Sequence, residues 1–156
     1  MIRHEQLKDT LAMPVVGKPP SVVNITWGGE RRFEAGTSVG GPTIHIDGNR
    51  KTGPSPVDVL LCALGTCTSI DVIDILTKRR TPVESLSVQV IGERAAAVPS
   101  RVSKCTIAFT MKGAGIEREQ AERAIDLSIS KYCSVRDSLD PNIPVVWTLE
   151  LNGASA

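Results

Sequence analysis

Three features of this sequence predict an α+β fold in the order β-β-β-α-β-β-α-β. They are one long apolar segment with a stop signal at each end, six short stretches of alternating polarity broken by glycine and proline, and a second segment of helical period. Hairpins outnumber repeated βαβ units, which favours α+β over a parallel α/β sheet. With 41% hydrophobic and 22% charged residues, the 156-residue chain suffices for one ordinary core, and a single domain over residues 1–156 is expected.

Residues 1–20 include Met13-Pro-Val-Val-Gly-Lys-Pro-Pro20, whose prolines predict an extended arm. Val23, Ile25 and Trp27 alternate with Asn24 and Thr26, as a half-buried strand does, and Gly28-Gly29 turns the chain. Glu30–Glu34 is the expected return strand, 35–42 a loop, and Thr43–Asp47 a third strand before the Asp47-Gly48 turn.

The segment Ser55–Arg79 has the clearest boundaries. Ser55 suits the N-cap, Pro56 the first helical position, and Asp58 the positive end of the helix dipole. Lys78, Arg79 and Arg80 suit its negative end, and Pro82 stops it. Val57, Val59, Leu60, Leu61, Cys62, Ala63, Leu64 and Cys67 leave no polar stripe in the first turns, so burial on all sides is expected. Gly65 costs about 1 kcal/mol relative to alanine, which predicts the close approach of another backbone or a substrate beside Cys67.

Leu86, Val88 and Val90 share one face of the next strand, and Cys105, Ile107, Phe109 and Met111 one face of its antiparallel partner. Residues Glu117–Lys131 form an amphipathic helix with Ala121, Ile125 and Ile129 on its apolar face, and four residues further that face reaches Cys133. Val145, Trp147, Leu149 and Leu151 make the last strand.

Composition narrows the function. Eighteen basic against seventeen acidic residues and 3% aromatics offer neither a basic surface nor a stacking platform for nucleic acid. No apolar run approaches the ~18 residues of a membrane span, and residues 1–20 lack a signal peptide's apolar core, so no membrane partner and a cytoplasmic location are expected. Cysteine spacings of 5, 38 and 28 with only two histidines argue against a zinc site.

The chemistry is therefore sought in thiols. Cys67 has small neighbours in Gly65, Thr66, Thr68 and Ser69, but a mid-helix position gives it little dipole assistance, so a cation must stabilise its thiolate. Cys133 is the favoured partner. For both, packing as a small buried hydrophobe is the competing reading. Cys62 lies about 140° around the helix from Cys67 and is expected to be a buried packing residue, as is Cys105. His45 is expected to be solvated, Tyr132 to be a core or gate residue, and the Lys78-Arg79-Arg80 run to be a helix end.

Ser55-Pro56 followed eleven residues after the proline by Cys67, and then Lys131-Tyr-Cys-Ser-Val135, resembles the OsmC/Ohr family of thiol-dependent peroxidases. The segments Cys67-Thr-Ser-Ile-Asp-Val-Ile-Asp-Ile-Leu76 and Asp126–Val135 are most similar to its YhfA-like branch, and the resemblance covers about residues 20–152. It implies an intertwined homodimer with two long central helices wrapped by antiparallel strands of both subunits. It also implies that Cys67 attacks a hydroperoxide to form a sulfenic acid, that Cys133 resolves it as a disulfide, and that a dithiol, small or lipoyl-type, reduces the disulfide without any cofactor or metal. In one respect the chain departs from the pattern: Val57 stands where the family's hydroperoxidases place a glutamate that pairs with the activating arginine, and Asp58 is the nearest acid. The activating arginine is expected from Arg31 or Arg32; in a strand over Glu30–Glu34 these would point to opposite faces, with Arg31 nearer the turn. Two other readings compete with peroxidase action, a non-enzymatic module of the same fold holding an acyl or lipoyl-like molecule and a thiol redox sensor. A homodimer is expected independently, because six short strands cover a nearly all-apolar helix poorly.

Overall fold

The computed structural model describes residues 17–155. The arm expected over 1–20 lies, but for its last four residues, outside the described residues. The chain forms two compact units, Met1–Gly53 and Pro54–Ala156.

The first unit is a three-stranded antiparallel sheet of β1 (Val23–Trp27), β2 (Arg32–Thr37) and β3 (Ile44–Asp47). The return strand starts two residues later than Glu30–Glu34 and takes in Ala35–Thr37, which alternation alone assigns to a loop. Its hairpin turns through Gly29 and through Glu30 in the left-handed region (φ 50°), with the Arg32 amide donating to Gly29 O at 3.0 Å. Arg31 thus sits in the turn, and strand alternation with Arg32 does not apply to it. β1 is exposed along its whole length rather than half-buried, leaving Ile25 and Trp27 63% and 66% exposed.

β2 and β3 are tied by side chains. His45, expected in solvent, lies 2.5 Å from Glu34 Oε1 through Nδ1 and 2.8 Å from Thr52 Oγ1 through Nε2. The His45 contact, and then the Thr43 hydroxyl, holds the Glu34 carboxyl below its ordinary range. Asp47 is buried and accepts the amides of Asn49, Lys51 and Thr52 at 2.8, 3.1 and 3.0 Å. These donors, Asn49 first, hold its carboxyl at about 2.

The second unit contains α1 (Pro56–Lys78), β4 (Ser85–Arg94), β5 (Val102–Lys112), α2 (Arg118–Leu127), a π-helical turn (Ser128–Tyr132), the short α3 (Ser134–Asp137), β6 (Val145–Leu151) and β7 (Ala154–Ser155). Its sheet runs β4-β5-β6-β7. β5 and β6 pair in parallel, unlike the remaining pairs, because α2 intervenes and carries the chain back across the sheet.

The boundaries of α1 match the sequence signals. Asp58 Oδ2 accepts from Ser55 N at 2.8 Å and Ser55 Oγ at 2.7 Å, while the Asp58 amide donates to Ser55 Oγ at 3.3 Å, a capping box that closes the first turn. Gly65 is explained by β4: a Cβ there would lie 2.7 Å from Val90 Cγ2. Leu64, Thr68, Val72 and Leu76, four residues apart, form the buried stripe facing β5 residues Cys105, Ile107, Phe109 and Met111 and α2 residues Ala121, Ala124 and Ile125 across the core.

Among the described residues, burial of α1 on all sides does not occur. Leu60, Ile70 and Ile73 are exposed, and in an apolar window of mean hydropathy 1.9 only 28% of residues are buried. By length and composition α1 is also sufficient to cross a membrane, contrary to the expectation from apolar runs; here it is a capped helix packed by one stripe onto a sheet.

Candidate active site

Cys67 is half-buried on α1, beside the Leu64–Thr68 stripe. Cys133 reaches it by a route that helical periodicity does not describe. The helix expected over Glu117–Lys131 ends at Leu127 and widens into the π turn, where the Cys133 amide donates to Ser128 O at 2.8 Å across five residues. Cys133 then leaves helical geometry (φ −71°, ψ 102°), caps α3 and turns inward, so that its side chain is 3% exposed.

There the Cys133 thiol is near enough to Cys67 for Cys67 to bear on its ionisation. Burial pushes it up to about 11; the contact with Cys67 adds to the rise, and the Arg136 amide, donating to Cys133 Sγ at 3.3 Å, opposes it. Cys133 is therefore a neutral thiol near pH 7, a sulfur that carries its proton with it. The arrangement has what a resolving thiol needs: a second sulfur in the neighbourhood of the first, and a proton for whatever leaves it.

The other thiols are placed differently. Cys62, expected in the interior, is exposed along a groove of about 550 Å3 between α1 and β4 that also includes Thr66, Ser69 and Val88. Cys105 is buried as expected, and burial raises its pKa against the opposing charge of Arg136. It lines an apolar cavity of about 330 Å3 whose walls include Val57, Leu60, Leu64, Val102 and Ile143. Tyr132 is 51% exposed with Lys131 Nζ 5.4 Å from its ring centre, which makes it a surface residue rather than a core one.

Asp58 completes the capping box. Arg31 and Arg32 belong to the first unit. The Arg31 carbonyl accepts from Gly48 N at 2.9 Å and its side chain lies across Gly48, where a Cβ would come within 2.9 Å of Nε. Arg32 pairs with Glu30 at 3.7 Å. Two residues near the thiols escape motif reasoning. Arg136 donates through Nη2 to Ile143 O at 3.1 Å, holding the loop before β6. Ser128 has a readable signal: with Ala121, Ala124 and Ile125 it completes an i, i+3, i+4, i+7 stripe, a polar residue on an apolar face.

The class the fold defines is an α+β protein with a half-buried cysteine on its long helix and a buried cysteine at the end of the π turn that follows α2. A family model described as OsmC-like protein matches residues 47–148. Protein YhfA of Escherichia coli (strain K12) is 34% identical over 120 residues, which cover 76% of this chain and 90% of that protein. The chain belongs to the OsmC-like family. A hypothetical protein from Aquifex aeolicus VF5 shares its fold with a TM-score of 0.75 at 27% identity, covering 85% of this chain and 96% of that one. The organic hydroperoxide resistance protein OhrB of Bacillus subtilis shares the fold with a TM-score of 0.58 at 14% identity, covering 84% and 98%.

Proposed function

We propose that this protein is a thiol-dependent peroxidase in which Cys67 reduces a hydroperoxide and Cys133 resolves the product. The observation that carries the reading is a half-buried Cys67 on α1 with a buried, protonated Cys133 as its near neighbour. The Cys67 thiolate attacks the distal peroxide oxygen; the O–O bond breaks, leaving Cys67 sulfenic acid and an alkoxide that takes a proton to become the alcohol. Cys133 sulfur then attacks Cys67 sulfur, the S–O bond breaks, and the departing hydroxide leaves as water with the Cys133 proton. A dithiol, small or lipoyl-type, returns both cysteines to thiols and is itself oxidised to a disulfide.

Membership in the OsmC-like family, together with a fold shared with a protein named for organic hydroperoxide resistance, supports this reading. So does the apolar cavity by Val57 and Leu64, suited to an alkyl tail. Arg31 or Arg32 is assigned the activating role, on the resemblance and on the need of a mid-helix thiolate for a cation. The working form is assigned as a cytoplasmic homodimer, since a second copy would cover the open face of α1 and the exposed Ile25 and Trp27 of β1.

The deciding experiment is consumption of tert-butyl hydroperoxide with dihydrolipoamide as reductant: wild type turns over, and Cys67→Ser does not. One observation favours a second reading, a non-enzymatic acyl-binding module. Val57 makes the cavity wall apolar at the position where the resemblance places a glutamate. Absence of turnover in wild type, together with saturable binding of a medium-chain acyl probe, would select it.

A further inference from the structure

Ser128 and Asp71 stand outside the chemistry described so far, yet they connect the two elements that carry the thiols. Ser128 is fully buried, and its hydroxyl donates to Asp71 Oδ2 at 2.8 Å and lies 3.3 Å from Thr68 O. Thr68 and Asp71 follow Cys67 on α1, one and four residues beyond it. The carbonyl of the same Ser128 accepts the Cys133 amide at 2.8 Å. One residue therefore grips α1 with its side chain and Cys133 with its backbone, at the point where α2 widens into the π turn. That turn costs regular helix geometry, and turns of this kind persist where surrounding contacts hold them.

We infer that Ser128, anchored by Asp71, is a positioning residue that sets the Cys133 sulfur against Cys67 and so raises the tendency of this pair to close into a disulfide. The inference rests on the Cys67–Cys133 pairing of the proposed function, but not on peroxide as its oxidant. Without the Ser128–Asp71 bond, the π turn is free to relax towards an ordinary helical turn, which would rotate Cys133 along the helix and away from α1. A closing disulfide senses sub-ångström misplacement, because the bond tolerates only a narrow range of separations.

The experiment equilibrates the full chain in glutathione buffers of graded ratio, where oxidised glutathione takes two electrons and two protons from the cysteine pair to give the protein disulfide and two reduced glutathiones. The closed fraction gives the effective concentration of Cys133 at Cys67. Ser128→Ala and Asp71→Ala should each lower that concentration about tenfold or more, whereas Asp71→Asn, which keeps an acceptor, should retain most of it. Asp71 is half-buried in mid-helix, where alanine is the best helix former, so its variant folds even if Ser128→Ala does not. A purely structural bond would lower the denaturant midpoint while the closure constant stayed at the wild-type value, and that result overturns the inference. Failure of the peroxidase reading would be seen separately, as a wild-type protein that forms no sulfenic acid with tert-butyl hydroperoxide.

Discussion

The Arg136 amide donates to Cys133 Sγ at 3.3 Å, yet burial outweighs that donor and leaves Cys133 pushed up to about 11. The folded chain therefore keeps a proton on Cys133 that the unfolded chain, with a thiol near its ordinary 9.0, gives up earlier. The resulting stability is complete below pH 9 and is lost as pH rises towards 11. Cys105, also raised by burial, acts in the same direction. Denaturant midpoints of the reduced protein should fall between pH 9 and 11, with a shallower fall in Cys133→Ala; equal slopes would contradict this.

Gly65 tests the packing of α1 on β4. Alanine gains about 1 kcal/mol of helix propensity, but its Cβ would lie 2.7 Å from Val90 Cγ2, and overpacking of a rigid core costs about 1–3 kcal/mol. The clash should win, making Gly65→Ala less stable by about 1 kcal/mol. Combined with Val90→Ala, it should cost less than the sum of the single changes. Additive chemical denaturation data would show that β4 accommodates the methyl.

The open face of α1 predicts association. Ile70 is 59% exposed in the single chain, so sedimentation should give two chains for wild type and one, or aggregate, for Ile70→Glu. A folded, stable wild-type monomer at micromolar concentration would remove the dimer from the account.

Much of the fold is legible because its signals are local. Ser55, Pro56, Asp58 and Pro82 mark the ends of α1 by their own backbone and side-chain chemistry, and Cys105, Ile107, Phe109 and Met111 mark the buried face of β5 by alternation. The two-residue slip at β2 arises where Glu30 takes a left-handed conformation that no glycine announces. The exposure of β1 and α1 has a different cause: alternation and helical period tell which face is apolar, not which chain covers it.

At the candidate site, the same contrast holds. Residue type and spacing favour Cys133 as the partner of Cys67 but leave packing as the competing reading, and it is the family resemblance that implies the pair; the inward aim of Cys133 is anticipated. Its cause is not, since an extrapolated helix contains no π turn and gives Ser128 no role. Cys62 illustrates the converse: apolar neighbours in sequence suggested burial, but it faces the open groove.

The proposed activation of Cys67 rests on residues far from it in sequence, Arg31 and Arg32 of the first unit. Alkylation of Cys67 by iodoacetamide at pH 7, followed by mass spectrometry, should slow severalfold in either Arg31→Ala or Arg32→Ala, with a parallel loss of peroxide reduction. Wild-type rates in both variants would move the activating cation elsewhere.

The most direct test is to map thiols after one equivalent of tert-butyl hydroperoxide has been added to the fully reduced protein. An intramolecular Cys67–Cys133 disulfide should form while Cys62 and Cys105 remain alkylatable, and in Cys133→Ser a dimedone adduct should accumulate on Cys67. A crosslink through Cys62 or Cys105, or four free thiols after treatment, would contradict the account.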